Sequence, residues 1–167
     1  MKMIRALTRP SASSPTRRGL RRLADDAGAN LIEAALITPL LLLLTFSIVD
    51  FASLFYVFLA LENGVSQASR YGVTGNQLPL QTREASIKAA MRAATPTLTL
   101  DDAAFTFTHL RPGGATWEAG PGGPNDIGKV TVNYTWEILT PLVKPFFDDG
   151  QASMTVESAM KNEPFLE

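Results

Sequence analysis

The longest apolar stretch of the chain runs from Ala34 to Val49 without a charged side chain, and the flanking Asn30 to Ile32 extend it to 20 residues. At about 1.5 Å per residue, such a helix matches the roughly 30 Å hydrocarbon thickness of a bilayer. The pattern predicts one membrane span. Apolar character continues past Asp50 through Phe51 to Leu61, and Leu54, Phe58, Leu61, Val65 and Ala68 recur at spacings of four and three, one stripe along a helix. A single helix from Asn30 to about Tyr71 would be on the order of 60 Å long, so its second half must leave the bilayer. Phe51, Phe55, Tyr56 and Phe58 then fall where an aromatic belt would sit. The stripe beyond them calls for a covering domain or a neighbouring helix.

Gly72, Gly75 and Pro79 end this pattern, and Gln81 to Ala94 reads as a short amphipathic helix that uses Ile87 and Met91 and stops before Pro96. Three segments then alternate with a period of two: Ala104 to Leu110 around Phe105 and Phe107, Lys129 to Ile138, and Ala152 to Met160. In the second, Val130, Val132, Tyr134, Trp136 and Ile138 share one face, while Thr131, Asn133, Thr135 and Glu137 share the other. In the third, Met154, Val156 and Met160 share a side. The expected fold is α+β: a long N-terminal transmembrane and stalk helix, then a small domain with a short helix and a roughly three-stranded antiparallel sheet, one face covered and one wet. Arg111 to Asn125, rich in proline and glycine, reads as a flexible connection. Thr140 to Gly150 is unusual for a loop in being apolar. Leu142, Val143, Phe146 and Phe147 make it a candidate interaction surface, with packing under the sheet as the alternative.

Charge sharpens this division. Seven basic residues against Asp25 and Asp26 give the first 28 residues a charge of +5, whereas eight basic and 14 acidic residues give the remainder −6. A basic head before an apolar helix fits a leader held on the cytoplasmic side of a membrane. Nucleic acid is a poor match as partner, because the body has no basic patch. Residues 1–28, with Pro10, Pro15 and spaced arginines, are expected to be disordered. The organisation is thus a leader at 1–28, a span at 29–50, a stalk at 51–72 and an exported domain at 73–167.

The absence of cysteine excludes disulfides and thiolate chemistry. His109, the single histidine, has no partner set for a metal, Asp101-Asp102 and Asp148-Asp149-Gly150 lack calcium-loop spacing, and no nucleophile, base and orienting group assemble. The expectation is a non-enzyme with no cofactor and no metal. Thr16 to Leu20 superficially matches a twin-arginine signal, but the apolar segment is too long and no small-x-small site follows. Pro39 removes the hydrogen bond to the Ala35 carbonyl and permits a kink. Asp50 marks the outer end of the span by length, with pairing to a basic group of another subunit as the alternative.

The segment Gly28-Ala29-Asn30-Leu31-Ile32-Glu33 places a glycine between leader and helix, and a carboxylate five residues beyond it. A cut after Gly28 would create an amino terminus at Ala29, whose charge could pair with Glu33 of a neighbouring subunit. Alternatively, Asn30 and Glu33 form a pattern close to a capping box, with an acid complementing the helix dipole. The motif by itself leaves both readings open.

This leader, Gly28 and Glu33, the run ITPLLLLLTFSIVDFASLFYVFLALENGVSQASRYG, and the later VTVNYTWEILTPLV and ASMTVESAMKNE together resemble TadE-like minor pilins (pseudopilins) of tight-adherence, or Flp-type (type IVc), pilus systems. The resemblance covers about Gly28 to Glu163. Ala34 stands where relatives often carry an aromatic residue. It implies cleavage between Gly28 and Ala29 by a prepilin peptidase, and Glu33 as the assembly carboxylate. The implied partners are other minor pilins, the major pilin, the inner-membrane assembly platform and the lipid bilayer. The implied place is the bacterial inner membrane, single-pass, with a cytoplasmic N-terminus and periplasmic domain, or the extracellular pilus itself. The rival expectation is an unprocessed single-pass protein whose exported domain binds or regulates an envelope complex.

Overall fold

The computed structural model describes residues 16–165, with side chains from residue 28 onward. Helix α1 spans Thr16–Val73 and passes through Pro39 without ending. The leader was expected to be disordered as far as Gly28. Residues 1–15 lie outside the described residues, but from Thr16 to Gly28 the backbone is helical. The reason is compositional: this stretch contains arginine, leucine and alanine and no proline, and adding residues to an existing helix costs far less than nucleating one. The chain divides into two compact units after Leu44.

In the first unit, residues 28–44 are helical and every side chain is exposed except the half-buried Leu43. Leucines and isoleucines point outward all round, with Leu36 73% and Leu40 68% exposed. A helix apolar on every side has its natural environment in lipid or among other helices.

The second unit begins at Thr45 and holds the rest of α1, the helix α2 (Arg83–Ala94), and four strands, β1 (Phe105–Leu110), β2 (Glu118–Ala119), β3 (Ile127–Glu137) and β4 (Gln151–Lys161). The strands form one antiparallel sheet in the order β2-β1-β3-β4. In register across it, Phe105 faces Val132 and Val132 faces Val156, and all three are buried against Val57, Leu61, Val65, Ile87 and Met91 of the helices. The alternation in β3 behaves as its pattern requires: Val130, Val132 and Ile138 are buried, Tyr134 and Trp136 pack against the core, and Asn133, Thr135 and Glu137 are exposed.

Two corrections concern this unit. The sheet has a fourth strand, β2, inside the segment expected to be a flexible connection. No periodicity announces a two-residue strand; its place is set by Gly120 N–H donating to the Phe107 carbonyl at 2.9 Å and by the Arg111 to Glu118 ion pair at 2.9 Å. The stripe on α1 is also turned by one position. Val57, not Phe58, is buried in line with Leu61, Val65 and Ala68, and Phe58 remains 36% exposed. Around the helix Val57, four residues before Leu61, lies about 40° to one side of it and Phe58, three before, about 60° to the other, so either fits the spacing, and the smaller valine fits the closer approach.

Gly64 explains why α2 lies so near α1. A Cβ there would stand 2.5 Å from Thr95 Cγ2 and 3.3 Å from Met91, so only glycine admits this contact. Thr82 caps α2 by accepting from Ala85 N–H at 3.2 Å. From its last turn, Arg92 donates to the Leu100 carbonyl at 2.8 and 3.0 Å and to Asp102 at 2.6 Å. The Arg92 hydrogen bond, with the charges of Lys88 and Arg92, holds the exposed Asp102 below the usual carboxylate range.

Candidate functional site

Two places carry most of the residues singled out from the sequence, and a third emerges only from the structure. At the first, Gly28, Ala29 and Glu33 are all exposed along α1. Nothing lies within 4 Å of a Cβ placed on Gly28. Asn30 is inside the helix, well past its start, so it is no N-cap, and Glu33 is not in the first turn of this helix. The capping reading is therefore incorrect for the uncut helix. The cause is the same upstream continuation of helix that overrode the expected disorder.

At the second place, Asp50 ends the uncharged run, and it is buried rather than exposed at an interface. Its Oδ1 accepts from the Leu139 N–H at 3.0 Å, tying the helix to the strand end beyond Ile138. Oδ2 is buried with no hydrogen-bond partner among the described residues. A buried carboxylate that serves one backbone donor holds that loop in register with the helix, at a desolvation cost.

The loop that follows splits the four candidate residues. Val143 is buried, whereas Leu142 is 49%, Phe146 72% and Phe147 40% exposed. Short 3-10 turns at Lys144–Phe146 and Asp148–Gly150 shape it. Asp149 at φ 51° and Gly150 at φ 67° reverse the chain into β4. Between loop and helix lies an open cleft of about 540 Å³ lined by Ile48, Phe51, Leu54, Ile138, Phe146 and Phe147, among others. The aromatic side chains expected to form a belt are exposed nearby, Phe51 at 68% and Tyr56 at 57%. The surface is apolar and presents no convergent set of reactive groups.

The third place was not foreseen. Arg83, at the start of α2, donates to the Gly122 carbonyl and, at 2.7 Å, to the Gly72 carbonyl, and its guanidinium lies 4.5 Å from the centre of the Phe165 ring. Asn162 completes the web by donating to the carbonyls of Gly123 at 2.9 Å and Pro121 at 3.3 Å. The proline- and glycine-rich segment is thereby anchored at its far end. His109 belongs to this region too: Nδ1 is 3.3 Å from the Gly120 carbonyl, and Nε2 is 3.8 and 3.9 Å from Glu118 and Asp126. A lone arginine in sequence carries no sign that its partners are backbone carbonyls from distant segments.

Residues 28–70 match the model of the TadE-like protein family. Over this helical segment the chain is similar to TadE-like proteins. The match begins at Gly28 and ends within the buried stripe of α1, so the family features lie in the helix and the sheet domain falls outside it. The family is a structural rather than a catalytic one and belongs to the context of the Tad pilus machinery. No curated protein and no solved structure gives a significant match. Residues 28–73 form one helix long and apolar enough to cross a membrane, consistent with a single anchor.

Proposed function

We propose that this TadE-like chain is a minor pilin, or pseudopilin, that assembles into or primes a Tad pilus after cleavage between Gly28 and Ala29. The observation that carries the reading is the coincidence of boundaries. The family match starts at Gly28, the residue before the proposed cut, and the apolar helix follows without interruption.

Physical chemistry supports each step. Gly28 in a helix interior costs about 1 kcal/mol relative to alanine, so the helix opens there more readily for a peptidase that binds extended chain. Cleavage makes Ala29 a free amine and brings Glu33 into the first turn of the shortened helix, where a carboxylate complements both the dipole and a neighbour's terminal charge. Side-by-side helix packing then covers the outward leucines of residues 31–44, and the sheet domain lies in the periplasm. The partners on this reading are the prepilin peptidase, other pilins and the inner-membrane platform.

The test is Glu33→Ala, introduced into the piliated host. The reading expects membrane insertion to persist and piliation to be lost. Normal pili would contradict it and favour an unprocessed single-pass protein acting on an envelope complex.

A further inference from the structure

In the turn at residues 139–147 Val143 is buried and the Leu139 N–H is tied to Asp50, but Leu139, Leu142, Phe146 and Phe147 are exposed, and their setting suggests what covers them. Asp50 accepts from Leu139 N–H, so the turn is fixed beside the helix turn at which the uncharged run stops. Ile48 and Val49, the last residues of that run, belong to the same compact unit and are exposed, as are Phe51 and Phe55. Leu139, Leu142, Phe146 and Phe147 continue this apolar surface from helix to loop.

A second observation is independent of exposure. Val143 and Lys144 N–H both donate to the Thr140 carbonyl, at 3.0 and 3.1 Å. Phe146 N–H donates to Val143 and Phe147 N–H to Lys144, again at 3.0 and 3.1 Å. Pro141 and Pro145 have no N–H to satisfy. From Val143 to Phe147, then, every backbone donor is bonded within the turn or absent. Such local pairing also occurs in water-facing turns, but it is what a segment entering a medium without hydrogen-bonding partners requires. Lys144 is exposed between the apolar positions, with a stem long enough to lie along acyl chains while its ammonium reaches phosphate.

We propose that residues 139–147 form a second membrane contact, a turn seated in the headgroup and acyl boundary of the bilayer beside the emerging helix. The occupant of the apolar cleft is then lipid. The inference rests on residues 30–49 spanning the membrane, and it adds that the domain is held down against the surface rather than carried free on a stalk.

The cysteine-free sequence permits single spin labels on the full chain in vesicles of phosphatidylcholine and phosphatidylglycerol. The label sites are F146C in the turn, L40C in the span and K161C at the far end of β4, all exposed positions that leave the core intact. The expected result is that the label at 146 collides more with oxygen than with a nickel chelate, severalfold above the ratio at 161 and below that at 40. If the label at 146 matches that at 161 while the label at 40 is deep, the turn is in water and the proposal fails, although the span survives. An aqueous label at 40 overturns the span reading and the proposal together. Protection of 146 from both reagents, with spin–spin broadening lost when the protein is diluted in lipid, would assign the surface to a second copy and overturn it as well.

Discussion

The two halves of the apolar part of α1 are close in composition and opposite in fate. From Leu31 to Leu44 the large side chains face outward on all sides, whereas from Val57 to Ala68 one stripe is buried under α2 and the sheet. Polar residues make the difference. Glu62, Asn63, Gln67 and Arg70 interrupt the second half and define a wet face, so its apolar residues can be covered only from one direction. The first half has no such face, and a small sheet domain could never cover it. One continuous helix thus carries two kinds of surface, and Asp50 follows the end of the uncharged run.

This comparison breaks most sharply at Leu61. Leu61→Ala removes a fully buried side chain and is expected to cost about 3 kcal/mol of domain stability, whereas Leu40→Ala should leave it unchanged. Denaturant unfolding in micelles, followed through Trp117 and Trp136, measures both. Equal losses would mean that the first half is also packed by the domain. Next comes the web that closes the second half: Arg83→Ala strands the Gly72 and Gly122 carbonyls and should cost about 2 kcal/mol, with Arg83→Lys recovering part of it.

Asp50 sharpens the boundary itself. Asp50→Ala leaves the Leu139 N–H unpaired, at an expected cost of about 1.5 kcal/mol, whereas Asp50→Asn keeps the acceptor, removes a buried charge and should be neutral or stabilising. Asparagine as damaging as alanine would instead point to a cationic partner for Oδ2. The smallest effect belongs to Asp102. Its folded pKa is depressed below 3.8, so its contribution is present above that value and disappears as pH falls through the folded pKa. Asp102→Asn should therefore lower the melting temperature slightly at pH 7, by an amount that shrinks as acid titrates the folded carboxylate; a difference that does not shrink in acid would contradict the pairing with Arg92.

The helices and long strands were legible because each has a period. Ile87 and Met91 on α2, and Val130 to Trp136 on β3, lie where alternation or helical spacing places them. Features made by single long-range contacts left no such trace: β2 pinned by Gly120, the carbonyls gathered by Arg83, and the burial of Asp50 against Leu139. The start of α1 was misplaced because hydropathy marks where a helix becomes apolar, not where it begins. The division of the loop, with Val143 inward and Phe146 outward, depends on two short 3-10 turns that no repeat specifies.

The most direct test of the whole account is the intact mass of the protein isolated from membranes of its native host, with the pilus system expressed. The account predicts a chain beginning at Ala29, and its replacement by the full-length form when Gly28 is changed to a bulky residue. A chain beginning at Met1 in cells with active prepilin peptidase would contradict it.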